Sequence, residues 1–213
     1  MKNILCSLLL CLGGLFFSNQ SFAMINESDD VYLKKVETYV NSLKKISGKF
    51  SQHSSNGAKD AGKFYINKPG KMRLEYKSPI LLVADGTSIV YEDKKSNQIS
   101  YISMNSNPAS IILNGNITLT GKKPSVKIKK IEEGEKTTEI TLTTANEKQS
   151  GVITLIFENK PLSLSGWRVR DAQGITTEVT LSEIKPESHF DPSLFKITRN
   201  KTIGTTKSKS KYY

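Results

Sequence analysis

From about residue 47 to residue 181 the chain repeatedly alternates apolar and polar residues, and this limits its fold more than any other feature. Met72, Leu74 and Tyr76 share one side of an extended segment, with Arg73 and Glu75 on the other. Phe64 and Ile66 alternate with their neighbours in the same way. Turn chemistry punctuates the pattern at Asn56-Gly57, Pro69-Gly70, Asp85-Gly86, Glu133-Gly134, 145–150 and Gln173-Gly174. Further strands are predicted at 81–84, 88–91, 99–102, 117–119, 126–131, 137–143, 152–157, 167–170 and 175–181. About ten or eleven short strands, with turns about every 8 to 12 residues, predict one large antiparallel sheet in a single domain.

Two segments break the alternation. Leu33, Val36, Val40 and Leu43 recur at helical spacing, separated by Lys34, Lys35, Glu37, Lys44 and Lys45. With Ser28, Asp29 and Asp30 as capping candidates, they predict one amphipathic helix over roughly 29–46. Pro108-Ala109-Ser110-Ile111-Ile112-Leu113, followed by Asn114-Gly115, predicts a short helix with a glycine stop.

The one long apolar run, 4–17, is too short for the roughly 20 residues a membrane-spanning helix requires. It follows Lys2 and precedes Ser21-Phe22-Ala23, whose small first and third residues suit signal peptidase. The expectation is an export leader over 1–23, cleaved after Ala23, and a soluble product. Cys6 and Cys11 both lie inside that leader, so the exported chain has no thiol. An exported chain without disulfides suits a bacterial periplasm. Leu10 stands before Cys11 where lipid modification needs a small residue, which argues against a lipid anchor.

The formal net charge is +11. Six of the cations (Lys196, Arg199, Lys201, Lys207, Lys209 and Lys211) crowd into the last 18 residues, where there is no acid. That stretch reads as a solvated basic tail over 198–213 with weak attraction for anionic lipid, and export argues against nucleic acid. The remaining body is only mildly basic.

Reactive chemistry is sparse. His53 and His189 are far apart in the chain, and no closely spaced His/Asp pair suggests zinc, so neither a metal nor a cofactor is expected. There is no G-x-S-x-G elbow and no dinucleotide fingerprint. The stretch 115–123 misses the phosphate-loop spacing by one residue and places Lys123 where Ser or Thr is required. Glu75, Asp85, Asp171 and Glu178 remain carboxylates in principle available for hydrolysis, read here as strand and turn residues. The expectation is a protein that is not an enzyme.

One ordered set of motifs is more specific. It runs from Phe50-Ser51-Gln52 through the stretch 62–76, which contains Lys68-Pro69-Gly70, to Ser78-Pro79, 82–86 and Val90-Tyr91. It ends in Phe190-Asp191-Pro192-Ser193-Leu194-Phe195. Together these resemble the periplasmic outer-membrane lipoprotein carrier family, LolA, over roughly 30–197, most densely over 48–91. The resemblance implies a mainly β fold with an α lid: an unclosed β-barrel of about 11 strands, its hollow covered by the N-terminal helix and short internal helices. It also implies a carrier domain over 24–197, working as a monomer. Such a carrier takes acylated lipoproteins from an inner-membrane ABC transporter and passes them to an outer-membrane acceptor.

On that resemblance, Phe50, Phe64, Met72, Leu74 and Leu82 of the sheet would line the acyl-chain cavity. Leu33, Val36, Val40, Ile111 and Ile112 would line it from the lids. Within the family the basic residue before this proline is typically Arg and holds the lid shut through hydrogen bonds to lid backbone. Here it is Lys68, an expected but weaker lid latch, because one ammonium replaces a planar fork of donors. The family's usual aromatic four residues later is Met72, a flexible side chain suited to varied apolar surfaces. Two relatives of similar fold are less favoured. Periplasmic envelope-stress sensors carry a further C-terminal domain, whereas this sequence stops soon after Phe195. The outer-membrane acceptor is lipid-anchored, which the Leu10-Cys11 context does not suit.

Overall fold

Strand alternation, punctuated by local turns, builds a single sheet. The computed structural model describes residues 27–104, 108, 110–144, 151–170 and 174–197, so the expected leader, the expected turn at 145–150, Asp171, Gln173 and the basic tail lie outside the described residues. In chain order the elements are α1 (Glu27–Ser42), β1 (Lys45–Ser54), β2 (Lys59–Asn67), β3 (Lys71–Tyr76), β4 (Ile80–Asp85), β5 (Ser88–Asp93) and β6 (Gln98–Ser103). Then follow α2 (Ser110–Leu113), β7 (Val126–Glu133), β8 (Thr137–Thr144), β9 (Val152–Asn159), β10 (Leu162–Arg170) and β11 (Thr176–Pro186). The eleven strands form one sheet in the order β6-β5-β4-β3-β2-β1-β11-β10-β9-β8-β7. Two meanders are thus joined where β1 pairs antiparallel with β11. The end strands β6 and β7 do not pair with each other, so the sheet is an open one.

Both expected helices are present, with shifted boundaries. α1 stops at Ser42 rather than near residue 46 because Lys44 and Lys45 are claimed by the sheet. The Lys68 N–H donates to the Lys44 carbonyl at 2.8 Å, the Glu187 N–H donates to the Lys45 carbonyl at 2.9 Å, and Lys45 pairs with Asn67 in the β1–β2 ladder. β10 begins at Leu162, ahead of the expected 167, because the chain reverses tightly at 160–161 and Leu162 pairs with Asn159.

One expected strand is absent. Residues 117–119 are extended but join no ladder. Ile117 and Leu119 are buried, as alternation requires. Their backbone partners, however, are side chains of α1: the Ile117 N–H donates to Asn41 Oδ1 at 2.9 Å and the Leu119 N–H to Glu37 Oε2 at 2.8 Å. A strand-like pattern was satisfied by a helix face instead of a neighbouring strand.

The main core lies between the inner face of the sheet and α1. Leu33, Val36 and Val40 of the helix form one buried cluster with residues of both meanders, among them Phe64, Leu155 and Phe157. A second cluster lies on the outer face, where Leu81 and Val83 pack with Phe195. A single 3-10 turn, Pro192–Phe195, delivers that side chain, capped by Asp191, whose side chain accepts from the Ser193 N–H at 2.8 Å. Edge-to-face contacts run Tyr65–Phe190 (6.1 Å) and Phe190–Phe195 (5.7 Å), and Arg73 Nη1 donates to the Leu194 carbonyl at 3.1 Å.

Candidate functional site

The β2–β3 turn positions the site. Its Lys68-Pro69-Gly70 sequence meets both helices. Lys68 Nζ donates to the Val40 carbonyl in the last turn of α1 at 3.1 Å. The Gly70 N–H donates to the Leu113 carbonyl, the last residue of α2, at 2.7 Å. The final carbonyls of a helix lack intrahelical partners and carry the negative end of its dipole, so a cation there is favourable. Gly70 has φ +78°, and a side chain on it would meet the Gly86 Cα at 2.7 Å, so two turns touch where only glycine fits. Lys44 extends the arrangement, with its Nζ reaching the Gly115 carbonyl at 3.1 Å and Asn116 Oδ1 at 2.6 Å.

Lys68 is half-buried, and that environment alters its chemistry. Burial pushes its ammonium down to about 8, and the positive charge of Lys44 acts in the same direction. It stays charged at neutral pH while holding the helix end, but loses its proton more readily than an ordinary lysine.

All ten residues expected to line an apolar hollow fall in or against one cluster. Phe50, Phe64, Met72 and Leu74 project from the inner face of β1, β2 and β3 and are 0 to 6% exposed. Leu82 is half-buried and packs against the same cluster, whereas its neighbours Leu81 and Val83 face the outer cluster. Leu33, Val36 and Val40 come from α1, and Ile111 and Ile112 from α2. The inner face is thus filled by the chain's own helices.

The sequence reading missed that the second meander contributes to this face as fully as the first. Ile140, Leu142, Ile153 and Leu155 are buried in the same cluster. Their alternation was visible, but the motifs that drew attention are densest over 48–91 and resume only at Phe190. Tyr39 ties α1 to this half: its ring meets Phe157 edge-on at 6.5 Å, and its hydroxyl accepts from the Leu164 N–H at 3.1 Å.

Three of the four carboxylates weighed for hydrolysis have structural partners. Glu75 pairs with Arg73 at 2.7 Å, Glu178 pairs with Arg168 at 2.9 Å, and Asp85 accepts from the Thr87 and Ser88 N–H groups. Among the described residues no group of three or more His, Cys, Asp or Glu could hold a metal ion. Among them, too, no helix is long and apolar enough to cross a membrane.

An open antiparallel sheet whose apolar inner face is covered by an N-terminal helix defines the class of unclosed barrels with a helical cover. The chain belongs to the outer-membrane lipoprotein carrier family: the profile described as outer membrane lipoprotein carrier protein LolA matches residues 41–198. This is a periplasmic family of binding and carrier proteins. Over 198 residues the chain is 26% identical to the uncharacterized protein RP864 of Rickettsia prowazekii, covering 92% of this chain and 87% of that one. Among solved structures it is similar to the LolA superfamily protein NE2245 of Nitrosomonas europaea, with 9% identity, a TM-score of 0.44 and coverage of 78% of this chain and 97% of that one. It is also similar to the structure of the Pseudomonas aeruginosa MucA/MucB complex, with 10% identity, a TM-score of 0.40 and coverage of 80% and 61% respectively.

Proposed function

We propose that this protein carries lipoproteins across the periplasm by sheltering their acyl chains between α1 and the inner face of the sheet. In this reading residues 1–23 are the export leader, 24–197 the carrier domain and 198–213 a basic tail. Cargo is released from the inner membrane by an ABC transporter and handed to an outer-membrane acceptor, with no chemical step and no cofactor. The chain works as a monomer.

The observation that carries this reading is the pairing of a predominantly apolar inner face with a cover held at its end by the β2–β3 turn. Each buried methylene contributes about 0.8 kcal/mol, so one sixteen-carbon chain left in water costs about 12 kcal/mol. A carrier has to offset most of that and still release its load. A cover that packs on the same residues when the cargo is absent does both, because self-packing competes with cargo. Phe50, Phe64, Met72, Leu74 and Leu82 then form the floor of the acyl site, and Leu33, Val36, Val40, Ile111 and Ile112 its movable roof. Lys68 is the latch between them, and its single ammonium makes it a weak one.

Incubating the chain from residue 24 onward with spheroplasts tests the proposal. The expected result is a complex of this protein with released lipoprotein in the supernatant. Recovery of all lipoprotein in the membrane pellet, at any concentration of the protein, would contradict it.

A further inference from the structure

Two polar side chains of α1, Glu37 and Asn41, are spent on a distant segment. Glu37 is 6% exposed although it is a carboxylate. Its Oε2 accepts from the Leu119 N–H at 2.8 Å and, at 3.4 Å each, from the Thr120 N–H and hydroxyl. Its Oε1 accepts from Lys34 Nζ at 2.5 Å. One turn later Asn41 makes a reciprocal pair with Ile117, its Nδ2 donating to the carbonyl at 2.8 Å and its Oδ1 accepting from the N–H at 2.9 Å. Residues four apart lie on the same face of a helix, so Glu37 and Asn41 grip successive parts of 117–120 as that segment runs alongside. Burial alone would push the Glu37 carboxyl up. The Lys34 ammonium and the two backbone N–H groups outweigh it and hold the carboxyl below its usual range.

These bonds are unequal to those of the Lys68 turn. A charged carboxylate accepting several hydrogen bonds in a buried site is costly to strip, because separation leaves the charge and the backbone donors unpaired. Lys68 offers one bond to one carbonyl. When α1 leaves the sheet, the weaker join gives way first.

We infer that Glu37 and Asn41 weld the segment 117–120 to α1, so that the cover which opens is the helix and this segment together, carrying Ile117 and Leu119 as part of its apolar underside. α1 is followed by Leu43 and Lys44 before β1. The segment closes a loop through Gly121 (φ +88°) onto Ser125, whose Oγ accepts from the Thr118 N–H at 2.9 Å and whose N–H donates to the Thr118 carbonyl at 3.0 Å, so its hinge lies between Ser125 and β7. The consequence for the proposed function is that opening uncovers β8 and β9 as well as β1–β4. The acyl site then spans both meanders. The weld itself does not depend on that reading; only what it uncovers does.

Native-state hydrogen exchange of the unliganded chain at low denaturant tests the weld without any lipid. The amides of Ile117, Leu119 and Thr120 are expected to exchange through the same opening as those of α1, with the same denaturant dependence. In Glu37→Gln, which removes the charge and leaves one amide oxygen for the backbone donors with its NH2 facing the Lys34 ammonium, 117–120 should exchange about tenfold faster while α1 keeps its rate within a factor of about two. Asn41→Ala should split the two in the same direction if Glu37→Gln fails to fold. Separate openings in the unsubstituted chain would overturn the weld. So would exchange by global unfolding alone in every variant. Failure of the chain to bind lipid, with the coupled exchange intact, would overturn the carrier reading and leave the weld standing.

Discussion

Lys68 is a cation held where burial disfavours its charge, with its pKa lowered from 10.5 to about 8. Between those two values the unfolded chain binds more protons at this residue than the folded one, so stability rises with pH across the window. Below about 8 both states are protonated and the contribution is flat. Urea unfolding on either side of the window should show the rise in the unsubstituted chain and lose it in Lys68→Met. An identical rise in both would show that other lysines cause it. Removing the latch altogether has a kinetic signature. A hydrogen bond from a charged group is worth about 1.5–3 kcal/mol, so Lys68→Ala should speed uptake of a dansyl-labelled fatty acid about tenfold or more. Lys68→Arg, which restores the fork, should slow it; stopped-flow fluorescence reads both. Gly62 tests the sheet beneath: a Cβ there would sit 1.9 Å from the Glu75 carbonyl oxygen, so Gly62→Ala must part β2 from β3. A loss of about 1–3 kcal/mol in a denaturant titration is expected.

Among the elements, those that read correctly from sequence are those whose signal is local. Asn56-Gly57, Pro69-Gly70 and Asp85-Gly86 each turn the chain between paired strands, because turn residues act through their own backbone. The residues expected on the inner face fell into one cluster for the same reason: period-two alternation assigns a side before any partner is known. Three features depended on distant partners and were not legible. The segment 117–119 alternates like a strand, but the backbone of Ile117 and Leu119 is satisfied by Asn41 and Glu37, some eighty residues away. The end of α1 was set by ladder pairing of Lys45, not by helical spacing. The Phe190–Phe195 motif was recognisable, but nothing in it revealed that Phe195 packs on the outer face, opposite the helix. That placement separates two roles. Phe195→Ala should cost about 3–5 kcal/mol in stability, since the ring is fully buried, yet leave fatty-acid affinity unchanged. A parallel loss of affinity in equilibrium fluorescence titrations would mean that the two faces are not independent.

For the whole molecule, the topology keeps the pairing of the sheet separate from α1. The first and last strands pair in the middle of the sheet, and none of its ladders passes through the helix. The helix adds burial without adding a strand, and Leu43 and Lys44 join it to β1. Removing it costs apolar contacts that an acyl chain can replace nearly one for one. On the proposed function the sheet is the frame and the helix the exchangeable part of the core. The most direct test is an equilibrium titration of the chain from residue 24 onward with a dansyl-labelled fatty acid, followed by hydrogen exchange of α1 in the complex. Saturable binding with a blue-shifted emission is predicted, together with loss of protection in α1 while the β1–β11 ladder stays protected. No binding, or binding that leaves every α1 amide as protected as before, would contradict the claim that the helix yields its place to an acyl chain.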